Sequence, residues 1–434
     1  MSRSTPSPRA VTACFLAAAV LLAPCGCARK GKERDASADA SALGRHKVRL
    51  SIFAGQSTPD PGIEEMIDEL LEKERPGLEL EWESVGWGDK FQSQLQAKFA
   101  AGEVPDIIIG KAQDVATCTP SGNIAPASPG LLKYVREEAL PSVSSGGLAY
   151  GIPYNAFYQG VFYNKDVFER LGLSVPRTRA ELDALVGRLR AAGVTPFAAA
   201  FGENWYVGNV MMQLAMGEIF ERDPAWGDRF RAGKASFSDS PEMRRCARGL
   251  RYLRDSSWPD TLTLGASECD ERFAAGKAAM YVTGTWTLQT INAVRPSMRV
   301  GLFPFPASSG GSRLIFEPNM TFMKSSRTAH PDEVDEVLSA VFSSRELASE
   351  ILGFTRTSPL LKDAGPAIDL PVQADIDRYS REGRVVDVTV GNTQLIWSFQ
   401  EEVAADLTRW LQGKESLAEV LASADRNRPL SGPR

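Results

Sequence analysis

Three tryptophans stand among polar neighbours. Trp205 lies in Phe201-Gly202-Glu203-Asn204-Trp205-Tyr206, Trp286 in Thr283-Gly284-Thr285-Trp286-Thr287, and Trp397 follows a Gly391-Asn392-Thr393 turn. A flat apolar ring edged by amides and carboxylates suits a ligand with C–H faces and a rim of hydroxyls, as in a sugar ring. The competing structural reading makes each tryptophan a partly buried core residue. Trp82, on an alternating strand, and Trp226 and Trp258, beside prolines or charges, read as structural.

Catalytic chemistry has little to stand on. The chain contains no G-x-S-x-G elbow, phosphate-binding G-x-x-x-x-G-K-[ST] loop, dinucleotide glycine pattern or H-E-x-x-H. Its two histidines, His46 and His330, argue against a histidine triad or a histidine-rich metal site, so no cofactor and no metal are expected. Adjacent carboxylates such as Glu64-Glu65 and Glu401-Glu402 fall on predicted helices, where neighbours diverge by about 100°. A carboxylate-only glycosidase remains the enzymatic alternative, because such pairs are set in space. The net charge of −5, without a Lys/Arg-rich run after the N-terminus, argues against a nucleic-acid partner.

Elements must position these residues. Lys47 to Ala54 reads as a strand, and Ile63, Met66, Ile67, Leu70 and Leu71 fall at helical spacing. Leu78, Leu80 and Trp82 alternate as a strand, Trp87 to Ala101 is helical, and Val104 to Gly110 is a short strand buried on both faces. This βαβαβ order predicts a parallel α/β lobe. Its ligand edge lies beyond the strand ends, which puts Gln56, Ser57 and Asp114 on a cleft; the alternative is that Asp114 caps a helix.

Gly146 to Val175 begins with turn residues, continues through Tyr154, Phe157, Tyr158, Phe162 and Tyr163, and ends in a helix opened at Asn164 and closed at Gly172. This stretch reads as the crossing into a second lobe, with a corner at Pro153-Tyr154-Asn155. The linker Ser308 to Ser312 is the natural second crossing. In the second lobe, helices are expected from Val210 to Phe220, Pro241 to Tyr252 and Gln394 to Leu411. A further helix begins at Gly284-Thr285-Trp286, with strands near Gly193–Ala198 and Val300–Pro306. The division expected is 47–153 plus about 309–353 for the first lobe, and 154–308 plus about 354–434 for the second.

The N-terminus reads as an export segment. Arg3 and Arg9 precede an apolar core from Ala10 to Ala23 that is too short to span a bilayer. Cys27, after Gly26, or Cys25, after Pro24, stands where an acylated cysteine would fall, so residues 1–27 are expected to be a lipoprotein-like signal peptide. Residues 28–46 suit a flexible tether. Three cysteines remain: Cys246 and Cys269 could pair in an oxidising compartment, leaving Cys118 free.

Three segments carry a family resemblance. GLAYGIPYNAFYQGVFYNKDVFERLGL, followed by PRTRAELDALVGRLRAAGVTPFAAA, resembles the "IP…YNKDLFEKAGL" region of family 1 extracellular solute-binding proteins. FAAGKAAMYVTGTWTLQTI resembles their "F..GKAAM…G.W" segment, and EVPDIIIGKAQDV their first-lobe strand and loop. The likeness covers nearly all of the chain from about Lys47. It implies a two-lobe, type II-like periplasmic-binding-protein fold, each lobe a mostly parallel sheet flanked by helices, joined by two or three crossovers. It also implies a carbohydrate ligand between the lobes, permease subunits of an ABC importer as partners, a monomer, and attachment outside the cytoplasmic membrane. The alternatives are the same fold holding a polyol, a glycerophosphodiester or a polyamine, or presenting its ligand to a membrane sensor. By position in those motifs, the expected ligand contacts are Asp114, Trp205, Tyr206, Trp286 and Trp397. Phe157 stands where some relatives carry a carboxylate, so Asn155 and Tyr158 are candidates to replace it. Glu317 and Asn319 in Phe316-Glu317-Pro318-Asn319-Met320 are further candidates.

Overall fold

A computed structural model describes residues 47–428, apart from 57–60, 87–88, 309, 311, 365–369 and 393–396. The lipidation candidates Cys25 and Cys27, the signal segment and Ser57 lie outside the described residues.

Within the described residues the strands are β1 (Val48–Gln56), β2 (Leu78–Gly86), β3 (Ile107–Gly110), β4 (Ser144–Ser145), β5 (Leu148–Ala149), β6 (Ile152–Asn164), β7 (Thr195–Ala198), β8 (Ala278–Gly284), β9 (Val300–Phe303), β10 (Leu314–Lys324), β11 (Ser358–Pro359) and β12 (Val385–Asp387). Apart from the small β4–β5 hairpin they form one sheet, ordered β2-β1-β3-β10-β6-β8-β7, with β9 and β11 also on β6 and β12 on β10. β1 is parallel to β2 and β3, and β7 to β8, whereas β6 and β10 run antiparallel to each other through the centre. The apolar runs explain the parallel part. Leu50, Ile52, Phe53 and Ala54 of β1 and all four residues of β3 are buried, as a strand covered on both faces requires.

Two cores hang on this sheet. The first-lobe core takes Leu50, Ile52, Ile107, Ile109, Ile152, Tyr154 and Ala156, together with Phe316, Met320 and Phe322 and the helices Pro331–Ser343 and Arg345–Thr355. Phe53, Phe91, Leu95, Ile108 and Val115 cover the other face of that lobe. The second-lobe core takes Val161, Phe162, Phe197, Tyr206, Met280 and Val282, with Leu314, Ile315 and residues from Leu370 to Ala424. Tyr158 and Val385 pack against both. β6 and β10 are therefore the crossings, and the 13 residues of β6 reach about 40 Å at strand rise. β11 adds a third link by pairing Ser358 with Ala156 and Pro359 with Asn155.

Several expectations are corrected. Pro153-Tyr154-Asn155 is continuous strand rather than a corner: Pro153 lies opposite Thr321, Asn155 opposite Asn319 and Pro359, and the Tyr154 carbonyl between them accepts from Leu360 N–H at 3.1 Å. The second crossing is made by β10 itself, not by the Ser308–Ser312 linker; Glu317, Pro318 and Asn319 break the apolar pattern that would have revealed it. The helix expected from Val210 begins at Asn204, so Trp205 and Tyr206 are helical rather than in a loop. Leu360, Leu361 and Ala364 pack into the first-lobe core, beyond the expected boundary near 353. Cys118, Cys246 and Cys269 are all buried and unpaired. Gly172 does end its helix in the left-handed region, at φ 58°, after Asn164 has capped the start by accepting from Asp166 and Val167 N–H.

Candidate functional site

The crossing strands make a floor between the lobes. Glu317 of β10 lies opposite Phe157 of β6, and Asn319 opposite Asn155. Strand periodicity of two puts Gln159 on the same face as Phe157. The Glu317 side chain is 1% exposed and accepts from Lys111 Nζ at 3.2 Å, Gln113 Nε2 at 3.5 Å and Gln159 Nε2. Lys111 and Gln113 come from the start of the helix Ala112–Cys118, directly beyond the carboxyl end of β3. From the second lobe, Asn209 Nδ2 donates to Gln159 Oε1 at 3.1 Å, and Gln213 Nε2 donates to Asn209 Oδ1 at 2.9 Å.

The aromatic wall stands beside this floor. β8 ends at Gly284, and Trp286 immediately precedes the helix Thr287–Val294. Its ring meets Phe157 edge-on, centroids 5.4 Å apart and planes at 89°. Thr285 pins the turn to β6: its N–H donates to the Tyr158 carbonyl at 2.9 Å, and Tyr158 N–H donates to Thr285 Oγ1 at 3.1 Å. Only glycine fits at 284, since a Cβ there would stand 2.2 Å from Trp286 Cζ3. Trp205 is half-buried one helical turn before Asn209, on the same face of its helix. Its Nε1 donates to Glu203, which also receives the Ala266 N–H at 2.7 Å.

Some expected contacts turn inward instead. Asp114 is fully buried and accepts from Lys111 N–H at 2.6 Å and from Gln92, so it caps the Ala112 helix as the alternative reading held. Burial pushes its carboxyl up to about 6, opposed by the Lys111 N–H, the Lys111 charge and Gln92. Tyr206 is buried beneath Trp205 and donates to the Val282 carbonyl at 3.0 Å; it supports the wall from inside the lobe. Asn155 is buried and donates to Thr357 Oγ1 at 2.8 Å, tying β6 to the third link, with its Oδ1 unpartnered. Half-buried Tyr158 packs on Phe316 with centroids 5.5 Å apart, and burial raises its phenol to about 12. Asn319 is buried with its Oδ1 unpartnered, two residues from Glu317 on the same face. Gln56 ends β1 opposite Gly86 and Trp397 opens the helix Trp397–Leu411, but both side chains lie outside the described residues.

The structure thus brings Phe157, Glu317 and Trp286 together and adds Lys111, Gln113, Gln159, Asn209 and Gln213. The last two had a legible signal: Trp205, Asn209 and Gln213 are spaced i, i+4, i+8 on one helix face. Among the described residues, no group of three or more His, Cys, Asp or Glu could hold a metal ion. Trp226, stacked on Phe230 at 5.3 Å, is core, and Trp82 donates to Asp68 at 3.0 Å on the surface of the first lobe.

Two lobes joined by long crossing strands, with an aromatic and amide-lined floor between them, define a ligand-binding fold of the periplasmic type. Solved structures with this fold include the solute-binding protein RafE in complex with raffinose (20% identity, TM-score 0.72, covering 87% of this chain and 99% of that one). A sugar transporter protein from Bacillus licheniformis in complex with stachyose is also similar (17% identity, TM-score 0.75, covering 88% and 99%). The model of the bacterial extracellular solute-binding proteins matches residues 54–347, and the chain belongs to that family. Its relatives include the multiple sugar-binding protein of Streptococcus mutans, 25% identical over 336 residues, 76% of each chain. The melibiose/raffinose/stachyose-binding protein MelE of Bacillus subtilis is 22% identical over 299 residues, 64% of this chain and 66% of that one.

Proposed function

We propose that this protein is an extracytoplasmic receptor that binds a mono- or oligosaccharide between its lobes and delivers it to the permease of an ABC importer. The observation that carries the reading is the corner made by Trp286 and Phe157 beside the Glu317–Gln159–Asn209 floor. An indole face takes the C–H side of a sugar ring, and the amides take its hydroxyls. The floor carboxylate is matched by the Lys111 charge, so a neutral ligand suits it better than a phosphodiester or a polyamine. Glu317 is committed to three donors, which fits binding rather than acid–base catalysis. The sugar ligands named for RafE and for the streptococcal and bacillar relatives support the same class.

Delivery follows from differential binding. A sugar that touches both lobes favours the closed arrangement, which is the form a permease can distinguish. Export and anchoring through Cys27 or Cys25 would keep the receptor at the outer face of the cytoplasmic membrane, as a monomer. Mass spectrometry of the membrane-bound protein, beside Cys27→Ser and Cys25→Ser variants, checks the anchor.

Thermal unfolding with raffinose, stachyose, chitin oligosaccharides, tagatose and polyols tests the ligand class. One sugar class should raise the midpoint, by the equivalent of about 2.7 kcal/mol at a hundred times Kd. Stabilisation by none of the sugars, or turnover of a glycoside, would overturn the reading.

A further inference from the structure

The polar groups of the floor form one uninterrupted chain from lobe to lobe. Lys111 and Gln113 belong to a helix whose Val115 and Cys118 sit in the first lobe's core. Asn209 and Gln213 belong to a helix whose Val210, Met211 and Leu214 sit in the second lobe's core. Glu317 and Gln159 belong to the two crossing strands. The chain has a single polarity: Gln213 donates to Asn209, Asn209 to Gln159 and Gln159 to Glu317, where Lys111 closes it from the other lobe. Asn209 and Gln159 each spend a donor on one neighbour and the acceptor on the other, while Gln213 starts the chain as donor, and such chains strengthen cooperatively in a low-dielectric setting.

We propose that Lys111, Glu317, Gln159, Asn209 and Gln213 are an interlobe clasp that holds the ligand-free lobes near the arrangement seen here. This deepens the binding reading, since the clasp forms the floor of the proposed sugar cleft, but it does not depend on the ligand being a sugar. The physical ground is burial. The side chain of Glu317 is 1% exposed and that of Lys111 14%, so separating them would leave a desolvated carboxylate short of its cation. A rotation of either lobe about β6 and β10 must stretch the Lys111–Glu317 or the Gln159–Asn209 link. Together these links bias the equilibrium between lobe arrangements before ligand arrives.

Small-angle scattering on the ligand-free full-length chain tests the clasp at both ends. Lys111→Met and Asn209→Ala should each enlarge the radius of gyration relative to wild type, and the double variant should go little further, since either break releases the same constraint. Lys111→Arg, which keeps the cation, should restore the wild-type curve. Cooperative melting of each variant shows that it is folded, and the two single variants report independently. Scattering curves for folded Lys111→Met or Asn209→Ala that superimpose on wild type would overturn the proposal. Failure of the sugar reading would show separately, as no stabilisation by any sugar.

Discussion

Gly284 and Trp286 act as one unit at the end of β8. The indole occupies the space a Cβ at residue 284 would need, so Gly284→Ala must expel the ring while leaving every proposed ligand-contacting side chain in the sequence. Sugar affinity should fall by about 2 kcal/mol, roughly thirtyfold in Kd, measured by calorimetry on a variant that still melts cooperatively. Asp114 offers a different test, in pH. Its carboxyl is raised to about 6 by burial, above the usual aspartate value, so the folded state binds its proton more tightly than the unfolded state does. Stability from this group therefore increases as pH falls from about 6 towards 4 and is lost as pH rises back through that range. Against Asp114→Asn, the wild type should gain on the order of 2–3 kcal/mol between pH 7 and pH 4, read from urea midpoints at each pH. Trp286 stands out in the sequence as an aromatic in a Gly-Thr-Trp-Thr turn, and the structure sets its ring edge-on against Phe157. Asp114 and Tyr206 were expected at the cleft and are buried, since local sequence does not say which way a helix's first turn faces.

At the scale of elements, β10 explains both what the sequence hid and what makes the crossing unusual. β1 and β3 announce themselves, since strands covered on both faces need unbroken apolar runs such as Ile107-Ile108-Ile109. β10 alternates between two cores and a polar floor, so its pattern reads as a broken strand with a proline inside it. The start of the Asn204–Ala215 helix was obscured in the same way, by polar Glu203 and Asn204 ahead of buried Tyr206, Val207, Val210, Met211 and Leu214. Within β10, Met320 holds φ 43°, a left-handed conformation costly for any residue with a Cβ, beside the Asn155 amide that reaches its sulfur at 3.6 Å. Both Met320→Ala and Met320→Gly lose the packing of a side chain buried in the first-lobe core. The glycine variant should nevertheless be more stable than the alanine variant by about 1 kcal/mol in chemical denaturation, the reverse of the order in an ordinary strand. Equal or inverted stabilities would place no strain at this crossing.

For the whole molecule, one sheet carries two cores; among the described residues β6 and β10 cross between them, β11 adds a short third link, and the first-lobe helix Asp89–Ala101 also lies near the second-lobe helix Trp397–Leu411. That architecture lets the lobes turn as bodies about a polar floor, which a single continuous core would forbid. The alternation of strands and helices made the lobes readable from sequence; the floor was not, because its residues come from Lys111, Gln159, Asn209 and Glu317, far apart in the chain. The proposed sugar site is formed by the floor and Trp286. Its most direct test is calorimetric titration of the full-length protein with raffinose, stachyose and chitin oligosaccharides, beside Trp286→Ala. The prediction is saturable binding to one of these sugars, recovery of the sugar unhydrolysed, and a loss of about tenfold or more in affinity on removing the indole. Unchanged affinity in Trp286→Ala, or no binding of any of these sugars, would contradict it.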